Sequence, residues 1–479
     1  MAGDLHTTVE TLLVLLLIVL VVAVVVQRIR LPYTIALVLV GLLGFQPGFL
    51  HVALTPDLIL TVFLPILLFE GAYNVPAQRL WHNIVPVILL AVPGVLLCML
   101  IIAAIMHVVM GLSWGVTLLF GALIASTDPI TVVSMFRDLG VPRRLALLLE
   151  GESLFNDGTS ITLFQIVLVV IMTGEFSLGA GMVKFVVTVA GALLVGALIG
   201  YVGSHLLRIL DNPQLEVLVT LIAAYGSYLL AETFTVSGAI AVVMVGLFFG
   251  NYGATAGLSP RSIYALSITW EFIGFVANSF IFLLIGIELV PFILVRNWWP
   301  ILAAFLATLI GRAVVVYLLL PLLRGRAKIP HIYGPVLVWG GLRGAVSLAL
   351  ALSLPFTLPN GQPFPFREQL QVMAFGVVAV SLVLQGLTMK PLIHALGLKG
   401  ESANLDEVAF VQARLLATGG ALLSLEREHE LGEVGDPQYE RLTRSFQQEH
   451  EQLQAQFQQL QEAEQEAEEN GKEERGGGS

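Results

Sequence analysis

Long apolar runs recur along most of the chain. A helix that crosses a bilayer needs about 20 mostly apolar residues, and dividing the runs at polar, Gly or Pro positions gives thirteen candidate spans. They lie near residues 9–27, 33–45, 57–74, 84–109, 114–136, 150–173, 179–207, 215–234, 237–252, 264–289, 299–323, 333–355 and 369–394. The pattern predicts an all-α polytopic membrane protein.

The first apolar run, Leu12 to Val26, predicts a retained span and not a cleaved signal peptide. Acidic residues precede the run, Arg28 and Arg30 follow it, and no small-residue cleavage site is present. A signal peptide has the opposite charge order and ends at such a site.

The positions of Lys and Arg predict the orientation, because these residues are enriched in cytoplasmic loops. With the N-terminus outside, thirteen of them fall in cytoplasmic loops, whereas only Lys184, Arg296 and Arg367 fall outside. We therefore expect a cytoplasmic C-terminus in a multi-pass protein of the cell membrane.

Thirteen spans divide as six, one and six, and the second set of six then begins on the opposite side of the membrane. This predicts two inverted six-helix repeats, which are common in secondary transporters. The fifth and twelfth spans are both interrupted, at residues 126–129 (STDP) and 340–344 (GGLRG). Interrupted helices at matching positions indicate a transport site.

The charge of the chain separates into two regions. Of 479 residues, 57% are hydrophobic and 12% charged, whereas soluble domains carry about 25% charged residues. Residues 1–399 carry 18 basic and 16 acidic side chains, and residues 400–479 carry 6 and 18. We predict a membrane domain at 1–399, an acidic cytoplasmic tail at 400–475 that is helical or partly disordered, and an artificial linker at 476–479.

The composition also bears on partners and cofactors. The formal net charge of -10 argues against a nucleic-acid partner. The single cysteine, Cys98, excludes an internal disulfide and a cysteine-clustered metal site. We expect no cofactor, and a cytoplasmic regulator of the tail stays an open question.

The segment 150–160 (EGESLFNDGTS) concentrates polar groups inside a predicted span. Helical spacing places Ser153 and Asp157 on one face, and Glu152 and Asn156 on another. A charge at the centre of a span costs at least about 2.5 to 3.5 kcal/mol, so such residues are functional candidates. Asp157 lies deep in the span, and we predict that it exchanges a proton for a cation.

The STDP break supplies further oxygen ligands. Pro129 removes a backbone donor and opens the helix, which frees carbonyl groups beside the Thr127 hydroxyl. These are hard donors that suit Na⁺ or Li⁺. Asp128 either ligates the ion, directly or through water, or neutralises half-helix dipoles, and we favour the dipole role.

Arg343 lies in the second break and needs a buried partner, because its guanidinium stays charged. We predict an ion pair between Arg343 and Glu152. Glu70 is either a water-mediated ligand at the entrance, which we favour, or a simple helix-end residue. Four other charged residues in the spans have no predicted role: Arg312, Glu232, Glu271 and Glu288.

The motifs together resemble branch one of the monovalent cation/proton antiporter family, which includes NhaP-like bacterial antiporters and eukaryotic sodium/proton exchangers. The resemblance covers about residues 10–398. The matching segments are LPYTIALVLVG, FLPILLFEGAY, STDP, ESLFNDG, WGGLRGA and QGLTMKPL.

The resemblance implies a role for each matching residue. Asp157 would be the carrier of ion and proton, with Ser153 and Thr127 as ligands of Na⁺. Asp128 and Glu70 would join through water. Three further residues would be supporting ones: Asn156, and the paired Glu152 and Arg343.

The resemblance also implies the stoichiometry and the assembly. Asn156 stands where the electrogenic branch has a second aspartate, so the exchange would be electroneutral. The protein would be a homodimer in the bilayer. Residues 84–173 and 299–394 would form a mobile transport part, and residues 9–74 and 179–289 a dimer part.

We therefore expect a transporter, not an enzyme, that exchanges Na⁺ or possibly Li⁺ for H⁺ by alternating access. A K⁺/H⁺ antiporter of the same family is the nearest alternative. A cation channel or a proton-coupled carrier of organic solutes is more distant. The YD and GxGD strings of intramembrane aspartyl proteases do not occur.

Overall fold

A computed structural model gives the fold. It describes residues 2–29, 32–44, 55–128, 130–175, 177–210, 212–253, 258–288, 291–327, 329–398 and 435–476, with short stretches between 411 and 429. Over these residues the secondary structure is helical, apart from one isolated bridge between Thr357 and Pro363.

Nineteen of the described helices lie before residue 396. They are α1 (Ala2–Ile29), α2 (Tyr33–Gly44), α3 (Leu64–Asn74), α4 (Ala77–His82), α5 (Ile84–Leu89), α6 (Val95–Met110), α7 (Trp114–Ala125), α8 (Ile130–Leu139), α9 (Arg143–Thr173), α10 (Leu178–Leu207), α11 (Pro213–Thr233), α12 (Gly238–Phe248), α13 (Pro260–Glu288), α14 (Pro291–Arg296), α15 (Trp298–Ala327), α16 (Tyr333–Trp339), α17 (Ala345–Leu352), α18 (Arg367–Val380) and α19 (Gly386–Ala395).

Wider π-helical turns adjoin some of these helices, at Leu58–Phe63, Leu90–Gly94, Phe249–Gly253 and Ser381–Gln385. Such turns are frequent at functional sites. The last of them places Ser381 and Gln385 beside the second break.

Eight helical stretches among the described residues are long and apolar enough to cross a membrane. They are Glu10–Arg28, Ile84–Met110, Arg143–Thr173, Gly179–Leu207, Pro213–Thr233, Arg261–Glu288, Trp298–Pro321 and Arg367–Ala395. Four shorter apolar stretches accompany them: Tyr33–Gly44, Leu58–Asn74, Trp114–Ala125 and Gly238–Asn251. The predicted all-helical, multi-pass architecture is confirmed at this level.

The predicted start of the sixth span was wrong by about two turns. The helix begins at Arg143 instead of near residue 150, and runs for 31 residues to Thr173. The apolar-run criterion stopped at Glu150, whereas the preceding Leu- and Ala-rich segment is a good helix former. Glu152 and Asp157 therefore lie inside one long helix.

Both predicted interruptions are present. Helix α7 ends at Ala125, and α8 begins at Ile130. Helix α16 ends at Trp339, and α17 begins at Ala345. Pro129, the residue predicted to open the first break, lies outside the described residues.

Helices from both halves of the chain pack against one another. Helix α6 packs against α7 and α15, while α17 packs against α7 and α18. Helix α12 packs against α3, α10 and α11, and α13 packs against α2. The contact of α17 with α7 brings the helix that follows the second break against the helix that precedes the first.

The chain divides into two compact units. One comprises residues 1–135 and 144–396, and the other comprises residues 136–143 and 397–479. In the second unit, helix α20 (Asp436–Gly476) carries most of the described tail. Its Glu449 pairs with Arg414, and its Leu453 is buried.

Candidate functional site

The two helix breaks meet through their backbones. The N–H of Asp128 donates to the carbonyl oxygen of Leu342 over 2.8 Å. The N–H of Arg343 donates to Ser381 Oγ over 3.2 Å, so the π-helical turn also supports the second break. The interrupted segments thus contact each other as well as their neighbouring helices.

Arg343 holds the end of α7. Its Nη1 donates to the carbonyl oxygens of Ala125 and Ser126 over 2.6 and 2.9 Å, and only 1% of the residue is exposed. The last carbonyls of a helix carry partial negative charge and lack partners within the helix. The guanidinium therefore stabilises the broken helix end.

The predicted ion pair between Arg343 and Glu152 is not formed. Glu152 instead pairs with Arg312 of α15: Nη2 donates to Oε2 over 2.7 Å, and Nη1 contacts Oε1. The exposed fractions are 1% for Glu152 and 5% for Arg312. The carbonyls freed by the break already hold Arg343, and Arg312 supplies the planar fork that matches a carboxylate.

The carboxylate of Asp157, on α9, contacts Ser126, the first residue of the first break. The hydroxyl of Ser126 donates a short hydrogen bond to Asp157 Oδ1. Among the described residues, no cationic side chain lies within ion-pair distance of Asp157. Unlike Glu152, Asp157 is partly exposed.

Ser153 and Asn156 of α9 both bond to Thr127 in the first break. Ser153 Oγ donates to the carbonyl oxygen of Thr127, and Asn156 Nδ2 donates to Thr127 Oγ1 over 2.6 Å. All three residues are buried. One turn further along α9, Ser160 Oγ donates to the carbonyl oxygen of Ala122 over 2.6 Å.

Asp128 and Glu70 occupy different surroundings. Asp128 is partly exposed in the break and lies against Gly344 of the second break. Glu70 is partly exposed on α3, where Oε1 accepts from Asn74 Nδ2 over 3.0 Å and the side chain packs on Gly274 of α13. These contacts place Asp128 in the crossing and Glu70 at the interface of α3 with α13.

Three participating residues were not predicted from the sequence. Arg312 was singled out only as a charge within a span, Ser126 only as part of the break, and Ser381 had no signal. The sequence places two arginines, Arg312 and Arg343, within the spans. This could have shown that either of them is a possible partner of Glu152. The roles of the two arginines depend on which one faces the freed carbonyls.

The arrangement offers a carboxylate, hydroxyls and carbonyl oxygens at one place. These are hard oxygen donors, which suit alkali cations and protons better than soft transition metals. Asp157 and Asp128 are partly exposed, whereas Glu152 is buried and its charge is neutralised by Arg312. Asp157 is therefore a carboxylate of this cluster that no cationic side chain among the described residues neutralises.

Comparison with known proteins gives a consistent family. A Na⁺/H⁺ antiporter from Aphanothece halophytica is 42% identical over 83% of this chain and 75% of its own length. The antiporter NhaG from Bacillus atrophaeus is 36% identical over 89% of this chain and 81% of its own.

The fold is also similar to a solved structure. The sodium proton antiporter MjNhaP1 from Methanocaldococcus jannaschii matches with a TM-score of 0.68 at 22% identity. The match covers 82% of this chain and 99% of that protein.

The family model for the transmembrane part of the sodium/hydrogen exchangers matches residues 13–395, which include both breaks and the Asp157 cluster. The resemblance drawn from the motifs is confirmed: this chain belongs to the sodium/hydrogen exchanger family.

Proposed function

We propose that this protein is a secondary transporter that exchanges Na⁺ for H⁺, with both ions competing for Asp157. The relatives from Aphanothece halophytica and Bacillus atrophaeus are named Na⁺/H⁺ antiporters. The single observation that carries the proposal for this chain is the position of Asp157. The residue is partly exposed, and its carboxylate accepts from Ser126 where two interrupted helices meet.

Charge pairing supports this choice of residue. Glu152 is sealed against Arg312 and has no free charge to exchange. Asp157 has a hydroxyl donor and no described cationic partner. An uncompensated carboxylate is costly away from water, so Asp157 is most stable when it carries either a proton or a cation. This cost couples the two fluxes during alternating access.

The cation is held, in this proposal, by Asp157, Ser153 and Thr127. The hydroxyl of Ser153 already touches the carbonyl oxygen of Thr127, so both oxygens lie close together. A small cation needs several such oxygens. Asp128 and Glu70 act through water, and their partial exposure is compatible with this role.

Electroneutral exchange is the second part of the proposal. Asn156 carries no charge and is committed to Thr127 through its amide. One exchangeable carboxylate can take one monovalent cation or one proton, so each cycle moves no net charge. Neither ion is a cofactor, and no cofactor takes part.

The finer architecture also belongs to the proposal. We infer thirteen spans, two inverted repeats, an external N-terminus and a cytoplasmic tail in the cell membrane. The functional unit is a homodimer in which residues 84–173 and 299–394 move against the remaining helices. The four short apolar helices support a count above the eight long ones.

The test is ion-driven proton movement in everted vesicles that contain the full chain. Addition of Na⁺ should collapse a preformed pH gradient for the parent protein and not for Asp157→Asn, which keeps nearly the same shape. Equal expression and thermal stability of both proteins are the control. Gradient collapse by Asp157→Asn at the parent rate would overturn the proposal.

Two further arms separate the alternatives. Replacing Na⁺ by Li⁺ or K⁺ distinguishes the K⁺/H⁺ antiporter, whereas a channel would pass cations without proton counter-flow. Clamping the membrane potential to zero should leave the exchange rate unchanged if the exchange is electroneutral.

A further inference from the structure

Ser126 occupies a junction between the second break and the ion site. Its carbonyl oxygen accepts from Arg343 Nη1 over 2.9 Å, and its hydroxyl donates to Asp157 Oδ1. The backbone leaves the helical conformation here, with φ -59° and ψ 141°. Arg343 therefore fixes the main chain of the residue whose side chain holds Asp157.

The other polar groups nearby direct their protons elsewhere. Ser153 donates to the carbonyl oxygen of Thr127, and Asn156 donates to Thr127 Oγ1. Among the described residues, the hydroxyl of Ser126 is thus the side-chain group that donates a hydrogen bond to the Asp157 carboxylate. A cation that binds this carboxylate therefore shares it with the Ser126 hydroxyl.

Ser126 is more deeply buried than Asp157. Ser126 is 3% exposed, whereas Asp157 is partly exposed. The hydroxyl of Ser126 donates to one carboxylate oxygen, Oδ1, so a cation bound by the same carboxylate competes with this hydroxyl for its electron density.

We propose that Ser126 is a positioning residue that weakens the binding of the transported cation to Asp157 and so speeds cation release. The inference rests on the proposed function of Asp157. A hydrogen bond to a charged group stabilises the cation-free carboxylate, and a bound cation has to replace or weaken that bond. Without the hydroxyl, the carboxylate binds the cation more tightly and releases it more slowly.

The matched substitutions are Ser126→Ala, which removes the donor, and Ser126→Thr, which keeps it. Na⁺ binding to the purified full chain is measured by calorimetry at an alkaline pH where the affinities of the parent and of both variants no longer change with pH. Under this condition protons do not compete. We expect Ser126→Ala to bind Na⁺ about three- to tenfold more tightly, a range that corresponds to the net contribution of a typical intramolecular hydrogen bond, and Ser126→Thr to match the parent.

Transport supplies a readout that general damage to the fold does not produce. In vesicles at the same pH, Ser126→Ala should lower KM and the maximal rate together, because tight binding slows release. Damage to the fold would lower the rate without lowering KM. If Ser126→Ala does not fold, Ser126→Cys, with its weaker donor, should show the same changes in reduced size.

The outcomes separate this inference from the proposed function. Weaker Na⁺ binding by Ser126→Ala would make Ser126 a cation ligand, and unchanged binding would make it a bystander; either result overturns the inference. Asp157→Asn is measured in parallel. If Asp157→Asn still binds Na⁺ like the parent, the proposed function itself fails. If Asp157→Asn loses Na⁺ binding, the proposed function holds, and the Ser126 variants alone decide the inference.

Discussion

Arg312 Nη2 lies 2.7 Å from Glu152 Oε2, and this buried contact joins the middle of α15 to α9. The same guanidinium donates through Nε to the carbonyl oxygen of Leu337 over 3.1 Å, at the end of α16. One side chain therefore connects three helices around the second break. The pair neutralises the charge of Glu152, which takes no part in exchange under the proposed function.

Removal of one member of this pair should be more harmful than removal of both. Arg312→Met leaves the Glu152 charge buried without a partner, a change that costs about 3–5 kcal/mol in other proteins. We expect a large fall in the melting temperature of the detergent-solubilised protein. The double variant with Glu152→Gln should recover much of that loss.

Two controls accompany this experiment. Arg312→Lys keeps the charge and loses the fork, so its melting temperature should lie between those of the parent and Arg312→Met. If the double variant melts at the sum of the two single losses, the residues do not act as a pair.

The sequence predicted which residues of α9 share a face and where the helices break, and the physical reason differs between these features. Helical spacing fixes which side chains of α9 share a face, so Ser153 and Asp157 could be grouped without a structure. The STDP break follows from local backbone chemistry. These features depend on neighbours in the sequence.

The choice between two arginines depends on contacts across the fold. Arg312 and Arg343 both needed buried partners, and only the packing of α15 and the position of the freed carbonyls decide which one meets Glu152. The start of α9 was predicted wrongly for another reason. A search for apolar runs ends at a charge, whereas the helix continues through it.

The close approach of the two breaks predicts that a methyl group at Gly344 disrupts the site. A Cβ at this position would lie 2.4 Å from Asp128 Cβ and 2.6 Å from its Oδ2. Asp128 would have to move, at a cost of about 1–3 kcal/mol for overpacking. We expect Gly344→Ala to reduce the rate of Na⁺-driven proton movement at least about tenfold.

Gly226→Ala is the matched control for this substitution. Gly226 lies in α11, and an added Cβ meets no atom within 4 Å. This variant should transport and melt like the parent. Parent-like transport by Gly344→Ala as well would show that the crossing tolerates displacement of Asp128.

The amide of Asn156 should contribute to stability through Thr127. Asn156 Nδ2 donates to Thr127 Oγ1 over 2.6 Å, and both residues are buried. Asn156→Ala leaves the Thr127 hydroxyl without this donor, and we expect a loss of about 1–3 kcal/mol in stability. Melting temperature in detergent, compared at one protein concentration, measures the change.

A double-substitution cycle tests whether the effect acts through Thr127. Thr127→Val removes the acceptor and keeps the shape of the side chain. If the two residues are coupled, Asn156→Ala should cost about 1 kcal/mol less in the Thr127→Val background than in the parent. An equal cost in both backgrounds would assign the role of Asn156 to another contact.

The interface of α9 with α12 should limit movement of the proposed transport part. A Cβ on Gly158 would lie 2.3 Å from Ile240 Cγ1, so the two helices approach closely beside Asp157. Gly158→Ala should slow Na⁺/H⁺ exchange, because the added methyl group pushes the two helices apart. Na⁺ binding should stay within about threefold of the parent, because the ligands are unchanged.

Ile240→Ala removes the atom that collides. In the double variant it should restore exchange despite the cost of about 2–5 kcal/mol for the shortened core side chain. Exchange is measured in vesicles and binding by calorimetry. A double variant as slow as Gly158→Ala alone would show that this contact does not control the movement.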